Sequence, residues 1–183
     1  IKEYQADYVI SSMPIKNLVN GINPRVPSHI LKIANGLVYR DFITVGLLIK
    51  QFKNGLELKD NWVYIQEKDV KIGRLQIFNN WSPDLVSNAN NIWLGLEYFC
   101  QEGDELWALD SEGMLSFAIK EMVKLDLINE EDVLDGTVLK VPKTYPAYFG
   151  SYGEFDVLRA HLDDLENLFL IGRNGMHRYN NQD

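Results

Sequence analysis

The apolar run at residues 41–50 (DFITVGLLIK) constrains the fold of this chain more than any other segment. It is too continuous and too rich in β-branched residues for a surface helix, and this pattern predicts a central β-strand. Similar runs, bounded by turn-type residues, predict further strands at residues 62–66, 72–78 and 93–100. Their hairpin-like spacing favours an antiparallel or mixed sheet over repeated strand–helix–strand units.

Helical periodicity is clearest at residues 111–125. Its apolar residues follow the i, i+3, i+4, i+7, i+8 pattern of a buried stripe, formed by Leu115, Ala118, Ile119, Met122 and Val123. A second helix is predicted at residues 154–164, and a short one after Ser28. Shorter strands are predicted at residues 6–13, 137–141 and 167–171. The sequence therefore predicts a single α+β domain over residues 1–183, with a mixed, mainly antiparallel sheet and flanking helices.

Composition narrows the classes of partner. The formal net charge is -8, with 26 acidic against 18 basic residues, which disfavours nonspecific nucleic-acid binding because phosphates need a basic surface. No apolar stretch reaches the roughly 18–20 residues of a membrane span. The single cysteine, Cys100, cannot form an internal disulfide and is expected to be a buried small hydrophobe. These features predict a cytoplasmic protein, and Ile1 in place of methionine predicts a missing N-terminal part.

The most informative segment is the C-terminal run NLFLIGRNGMHRYNNQD, at residues 167–183. An apolar strand ends in two glycines, Gly172 and Gly175, which are followed by polar residues. Glycine permits backbone conformations closed to other residues and close approach to a ligand. Backbone N–H groups and the start of a following helix could therefore face an anion or a flavin carbonyl, and a tight turn is the structural alternative.

The residues in this run resemble a known signature. Gly172-Arg173-x-Gly175-x-x-Arg178-Tyr179, followed by Asp183, resembles the FAD-contacting segment near the C-terminus of UDP-galactopyranose mutases. These enzymes belong to the wider amine-oxidase and protoporphyrinogen-oxidase-like flavoprotein group. Similarity continues upstream at residues 6–14 (ADYVISSMP), 73–76 (GRLQ) and 145–146 (Tyr-Pro).

The resemblance implies a role for each matching residue. The residues expected to lie against FAD, the implied cofactor, are Gly172, Arg173, Asn174, Gly175, Met176 and Asp183. Arg173 would contact the pyrophosphate or ribityl region, for which a bidentate guanidinium is well suited. Arg74, Tyr145 and Tyr179 would hold the diphosphate of a nucleotide sugar. Strand alternation independently places Arg74 and Gln76 on one face of the sheet.

The chain also departs from the mutase pattern. Asn181 stands where the mutases have an aspartate, and the segment at residues 79–83 (NNWSP) has a different polarity. No G-x-G-x-x-G fingerprint for the ADP half of FAD occurs in these residues. The chain is therefore expected to be a fragment of a larger FAD-dependent enzyme, lacking the N-terminal fingerprint and inactive in isolation.

Several functions stay open at this point. The resemblance implies the substrate-binding portion of an FAD-dependent oxidoreductase, or of a mutase (an isomerase) acting on a nucleotide sugar in surface polysaccharide biosynthesis. The alternatives are the substrate domain of an amine-oxidase- or desaturase-like flavoenzyme and a non-catalytic binding module. No catalytic residue can be named from the sequence. The three histidines lack metal-ligand spacing, so no metal site is predicted, and each is expected to be a surface or packing residue: His29, His161 and His177.

Two further expectations concern surfaces. Aromatic residues in and near the predicted strands are expected mainly to be half-buried, with a pocket wall as the alternative: Trp62, Tyr64, Trp81, Trp93, Tyr98 and Trp107. The strands at residues 6–13 and 167–171 are expected to belong to a sheet whose other strands lie outside this chain. Open apolar strand edges find partners, so the isolated chain is predicted to form a homodimer.

Overall fold

The computed structural model describes residues 2–22 and 26–180. Its helices, in chain order, are α1 (Ile15–Gly21), α2 (Ser28–Asn35), α3 (Phe78–Trp81), α4 (Glu105–Ala108), α5 (Ser111–Lys124), α6 (Phe155–Asp163) and α7 (Gly172–Gly175). Its strands are β1 (Val9–Ser11), β2 (Leu37–Ile49), β3 (Trp62–Tyr64), β4 (Arg74–Ile77), β5 (Ile92–Cys100), β6 (Val133–Gly150) and β7 (Leu168–Leu170). This content confirms the predicted α+β class.

The described strands form two sheets. Five of them pair in the order β3-β4-β5-β2-β6, and the pairs β3–β4, β4–β5 and β5–β2 are antiparallel. The other sheet is the parallel pair β1–β7. The predicted mixed, mainly antiparallel arrangement is therefore confirmed, and the run at residues 41–50 forms most of the central strand β2.

By its internal contacts the chain divides into two compact units. The sheet unit comprises residues 41–142, and the terminal unit comprises residues 1–40 and 143–183. The prediction of one domain over residues 1–183 is compatible with this division and stays a prediction.

The sheet unit has its own hydrophobic core. The inward side chains of the central strands, among them Leu47, Leu94 and Leu96, share this core with Met114 and Met122 of α5. Cys100 is part of the same core and 5 % exposed, which confirms its predicted burial. Burial raises the pKa of the Cys100 thiol to about 11, and the nearby carboxylates of Asp104 and Asp41 add to the effect. Because the thiolate is the nucleophilic form, a thiol with so high a pKa is not a nucleophile, and Cys100 serves in packing.

The terminal unit packs three helices on one core. Ile15 and Val19 of α1, Ile30 of α2 and Leu158 of α6 are buried there together. Helix α1 was not predicted, because Pro14 was interpreted as the end of a strand and the start of a turn. The structure shows Pro14 as the N-terminal cap residue of this helix, a position near the first turn where the missing N–H of proline costs nothing.

No helix in the described ranges combines the length and the hydropathy needed to cross a membrane.

Candidate functional site

The two glycines of the C-terminal signature form a sharp corner after β7, where they are the first and last residues of α7. Gly172 has a φ of +70°, a backbone conformation that L side chains rarely adopt. Gly175 is buried against the end of β1, and a Cβ atom added there would lie 2.5 Å from the carbonyl oxygen of Ser11. Each glycine is therefore required by the path of the chain itself. Helix α7 has four residues, which is too short for the helix-terminus anion site considered from the sequence.

Arg173, at the same corner, lies against two tyrosines. Its guanidinium carbon is 4.7 Å from the ring centroid of Tyr145 and 4.6 Å from that of Tyr179. The two rings are 5.9 Å apart and nearly parallel, with an interplanar angle of 20°. Nε and Nη2 of Arg173 also donate hydrogen bonds of 3.2 and 3.0 Å to the carbonyl oxygen of Asn180. We call Tyr145, Arg173 and Tyr179 the arginine–tyrosine cluster.

The arginine–tyrosine cluster brings together residues that the sequence assigned to two different ligands. Arg173 was expected at the cofactor, and Tyr145 and Tyr179 at the substrate diphosphate. A cation beside two phenols is stabilised by the negative faces of the rings, and a phenol hydroxyl can donate and accept hydrogen bonds. Tyr179 is 58 % exposed, so this side of the cluster is accessible within the terminal unit.

Buried polar atoms without a partner provide a test of whether this corner fits a ligand. Within the described ranges, Oγ of Ser11, Oδ1 of Asn174 and Oδ1 of Asn180 are buried and accept or donate no hydrogen bond. The amide nitrogen of Asn174 is held by the carbonyl oxygen of Lys143 at 2.8 Å, which fixes the side chain. Unsatisfied buried oxygens are costly. These segments therefore fit a bound group that carries hydrogen-bond donors.

Met176 was predicted to contact the cofactor through its backbone, but its backbone N–H already forms a hydrogen bond within the chain. Its N–H donates to the carbonyl oxygen of Gly172 at 3.0 Å, and its side chain packs against the core of the terminal unit. Asp183 lies outside the described residues, as does Asn181.

His177 is a packing histidine, as one of the two sequence interpretations expected. It is fully buried and lies edge-on to Tyr39, with ring centroids 4.9 Å apart. Nε2 lies 3.2 Å from the carbonyl oxygen of Ala147, which requires Nε2 to carry the proton. Nδ1 is buried without a hydrogen-bond partner among the described residues. Burial lowers the pKa of His177 below its ordinary value of 6.5, because the charged imidazole cannot be solvated there.

The lowered pKa of His177 predicts a pH dependence of stability. Below a pH of about 6.5 the unfolded chain binds a proton on this imidazole that the folded chain excludes. The free energy of unfolding therefore decreases as the pH is lowered. His177→Asn, which tolerates the φ of +45° at this position, should show a smaller loss of unfolding free energy between about pH 7.5 and about pH 5.5. Urea titrations at both values test this. His29→Asn, at an exposed histidine, is the control. An equal pH dependence of stability in the unmodified chain and both variants would contradict a buried, neutral His177.

Arg74 belongs to the sheet unit and is paired with a buried carboxylate. Its guanidinium forms an ion pair with Glu97, whose side chain is 2 % exposed. The side-chain amide of Gln76 donates to the same carboxylate, which confirms that Arg74 and Gln76 share one face. Arg74 also lies over the rings of Trp62 and Tyr64, at 5.6 and 5.8 Å. The sequence analysis did not identify Glu97 as a functional candidate. A carboxylate within an apolar strand, opposite an arginine on the next strand, is a signal that could have identified it.

The same face of the sheet unit carries a cavity of about 370 Å³. Its lining is apolar except for two threonine hydroxyls, and consists of Thr44, Gly46, Phe78, Leu85, Trp93, Thr137 and Leu139. Trp93 thus forms a pocket wall, the alternative considered for the aromatic residues. Thr44 stands directly opposite Glu97 in the β2–β5 register, which places the Arg74–Glu97 pair beside the cavity.

Comparison with solved structures identifies the fold. The chain superimposes over 98 % of its length on a crystal structure of reduced UDP-galactopyranose mutase, with a TM-score of 0.80 and 23 % sequence identity. The chain has the fold of this part of the mutase. It also matches, over 92 % of its length, a protein from Exiguobacterium sp. 255-15 described as a protoporphyrinogen oxidase, with a TM-score of 0.69 and 16 % identity. The resemblance stated from the sequence is therefore confirmed at the level of the fold.

The chain spans 38 % of the mutase and 36 % of the second protein. Neither a protein-family model nor a curated protein sequence matches the chain.

Proposed function

We propose that this chain is the substrate-facing part of an FAD-dependent oxidoreductase or mutase, and that its C-terminal corner lies against the cofactor. The observation that carries the proposal is the convergence at this corner of a fixed arginine and unsatisfied buried oxygens. The shared fold with reduced UDP-galactopyranose mutase supports it. On this proposal the isolated chain is inactive and the parent protein works in the cytoplasm.

The residues of the corner would orient and bind. Arg173 donates from Nε and Nη2 to Asn180, and its other guanidinium N–H groups could bond a pyrophosphate. The oxygens of Asn174 and Asn180 would accept hydrogen bonds from ribityl hydroxyls or flavin N–H. Bound FAD would supply the redox capacity that the side chains lack.

The first candidate reaction is isomerisation of a nucleotide sugar, as a step in surface polysaccharide biosynthesis. The mutase fold supports it, as does the exposed phenol of Tyr179 beside Arg173, because a phenol donor and a cation suit a diphosphate. The second candidate is an oxidase- or desaturase-like reaction on a less polar substrate. The apolar cavity favours this second candidate, as does Arg74, whose charge is balanced by Glu97.

A visible absorption spectrum of the complete parent protein tests the proposal. We expect bound flavin after purification, and a strong loss of flavin in Arg173→Ala. Arg159→Ala is the matched control, because Arg159 lies in the same unit and pairs only with its helical neighbour Asp163 among the described residues. A parent protein that stays colourless with added FAD would overturn the flavoenzyme and leave a non-catalytic binding module.

Titration with UDP separates the two candidate reactions. Binding of UDP that weakens in Tyr179→Phe supports the nucleotide-sugar branch, since only the phenol oxygen is removed. A flavin-containing protein that does not bind UDP supports the oxidase- or desaturase-like reaction.

We also propose that the isolated chain self-associates through the β1–β7 pair. Ile10 and Phe169 are 66 % and 48 % exposed on this two-stranded parallel sheet, and parallel sheets are normally covered on both faces. Sedimentation at rising concentration should show a dimer, and Ile10→Lys should shift the distribution towards monomer. A strictly monomeric profile of the unmodified chain would contradict this.

A further inference from the structure

Two glycines directly opposite each other create the cavity on the outer face of the sheet unit. Gly46 of β2 and Gly95 of β5 are cross-strand partners in the middle of the sheet. Glycine within a strand is destabilising by roughly 0.5–1 kcal/mol relative to alanine, so a pair of them there calls for a reason. A Cβ at Gly95 would lie 2.8 Å from the ring of Phe78, and one at Gly46 would lie 3.2 Å from the ring of Trp93.

The glycine pair therefore lets two aromatic rings lie close over the strands, where ordinary side chains would otherwise fill the space. The wall formed by Trp93 is fixed by Asn79 of α3. Oδ1 of Asn79 accepts a 3.0 Å hydrogen bond from the backbone N–H of Trp93, and Nδ2 of Asn79 donates to the carbonyl oxygen of Asn91 at 2.8 Å. The glycine pair and these hydrogen bonds build this wall of the cavity into the sheet unit.

The margin of the cavity is apolar and exposed. Leu85 and Leu139 line it, and they are 55 % and 60 % exposed. Exposed leucines around a hollow of about 370 Å³ match the usual anatomy of a small-molecule site, whose volumes begin near 300 Å³. Thr137 of β6 lines one side of the cavity. Hydrogen-bonding groups are concentrated on the other side, where Thr44 faces Glu97 and its partners Arg74 and Gln76.

We propose that this cavity binds the apolar group of an amphipathic small-molecule substrate, whose polar part lies towards Arg74 and Gln76. The inference rests on the proposed function, because it names the substrate class of that enzyme. Burial of an apolar group there is driven by the area removed from water at Leu85, Leu139 and the two rings. A purely polar ligand would gain little from such a lining.

The test uses N-phenyl-1-naphthylamine, a neutral apolar probe whose fluorescence rises in apolar surroundings. It is titrated into the 183-residue chain and into the complete parent protein, and energy transfer from tryptophan is recorded. Saturable binding is expected in both, with much of the transfer lost in Trp93→Phe. Leu139→Asp places a charge at the margin and should weaken binding at least about tenfold. Leu134→Asp is the matched control, on the same strand, 45 % exposed and outside the lining, and should bind as the unmodified protein does.

Three results would overturn the proposal: no saturable binding, equal weakening by Leu134→Asp and Leu139→Asp, or binding to the 183-residue chain that disappears in the complete protein. The last would show that another segment of the parent covers the cavity. Circular dichroism of each variant confirms that the fold is retained. Flavin absorbance is read on the same parent samples. A colourless protein that still binds the probe overturns the flavoenzyme and supports the cavity; a flavin-containing protein without probe binding overturns the cavity alone.

Discussion

Arg74→Ala is expected to lower the free energy of unfolding by about 3 kcal/mol, because it removes the cation that faces a buried carboxylate. Glu97 is 2 % exposed and Arg74 18 % exposed, so solvent screens this pair only weakly. After the substitution the amide of Gln76 would remain as a hydrogen-bond donor to the carboxylate, without a compensating positive charge from Arg74. Urea denaturation followed by circular dichroism measures the loss.

The double variant Arg74→Leu, Glu97→Leu provides the control for this prediction. Replacing a buried ion pair with apolar residues is often neutral, whereas breaking it is costly, so the double variant should recover most of the lost stability. Arg159→Ala breaks the exposed pair with Asp163 and should cost less than about 1 kcal/mol. A single Arg74→Ala variant as stable as Arg159→Ala would contradict the assignment of a structural pair.

This pairing changes how Arg74 can be used to study function. Loss of ligand binding in Arg74→Ala would mix a missing contact with a disturbed sheet, since β3, β4 and β5 meet at this residue. Tyr179→Phe removes a single oxygen from a side chain that is 58 % exposed, and it therefore reports on binding more directly.

The sheet was predictable from the sequence because its signals are local. The run at residues 41–50 and the three strands that follow are bounded by turn residues, and each appears in the structure as β2, β3, β4 or β5. Strand β6 was predicted at residues 137–141 but extends over Val133–Gly150. Pro142 and Pro146 lie within this longer strand. Both are tolerated because β6 is last in the sheet order, where an edge strand can lack ladder donors.

Helix α5 shows where periodicity alone was insufficient. The predicted stripe included Val123, which is 39 % exposed, while Glu121 is 6 % exposed. Glu121 turns inward because its carboxylate accepts hydrogen bonds from the backbone N–H groups of Lys71 and Ile72. A tertiary contact of this kind between distant segments leaves no mark in the spacing of apolar residues. Ala118 and Met122 of the predicted stripe are buried together with Met114, and Leu115 and Ile119 pack partly buried against the same core.

The candidate site was predictable in its residue types but not in its arrangement. The resemblance selected Arg173, Tyr145 and Tyr179, and the structure brings them together in the terminal unit. Their contact depends on β6 and α7 meeting in space, which no local pattern encodes. The glycines show the same limit, because close approach to a ligand was expected while the structure shows close approach to the chain's own backbone.

Gly175→Ala is expected to destabilise the 183-residue chain by about 2 kcal/mol, within the usual range for overpacking. The added Cβ would lie 2.5 Å from the carbonyl oxygen of Ser11 and 3.2 Å from Cα of Ser12. Both are backbone atoms of the β1 end, so no rotamer change can relieve the clash and the corner must separate from β1. Gly21→Ala is the matched control, because no atom of the described residues lies within 4 Å of its Cβ position at the end of α1. Thermal and urea unfolding of the two variants measure the difference.

Two measurements on Gly175→Ala distinguish a packing role from a cofactor-binding role for this glycine: the stability of the isolated chain and the flavin content of the parent protein. If it serves the packing of α7 on β1, the isolated chain loses stability in the absence of flavin, and the parent protein loses flavin only as a consequence of that disturbance. If it served only the approach of the cofactor, the isolated chain would tolerate alanine as Gly21 does, and flavin content alone would fall. The 2.5 Å contact with Ser11 predicts the first result, because a clash between backbone atoms is present whether or not a ligand is bound.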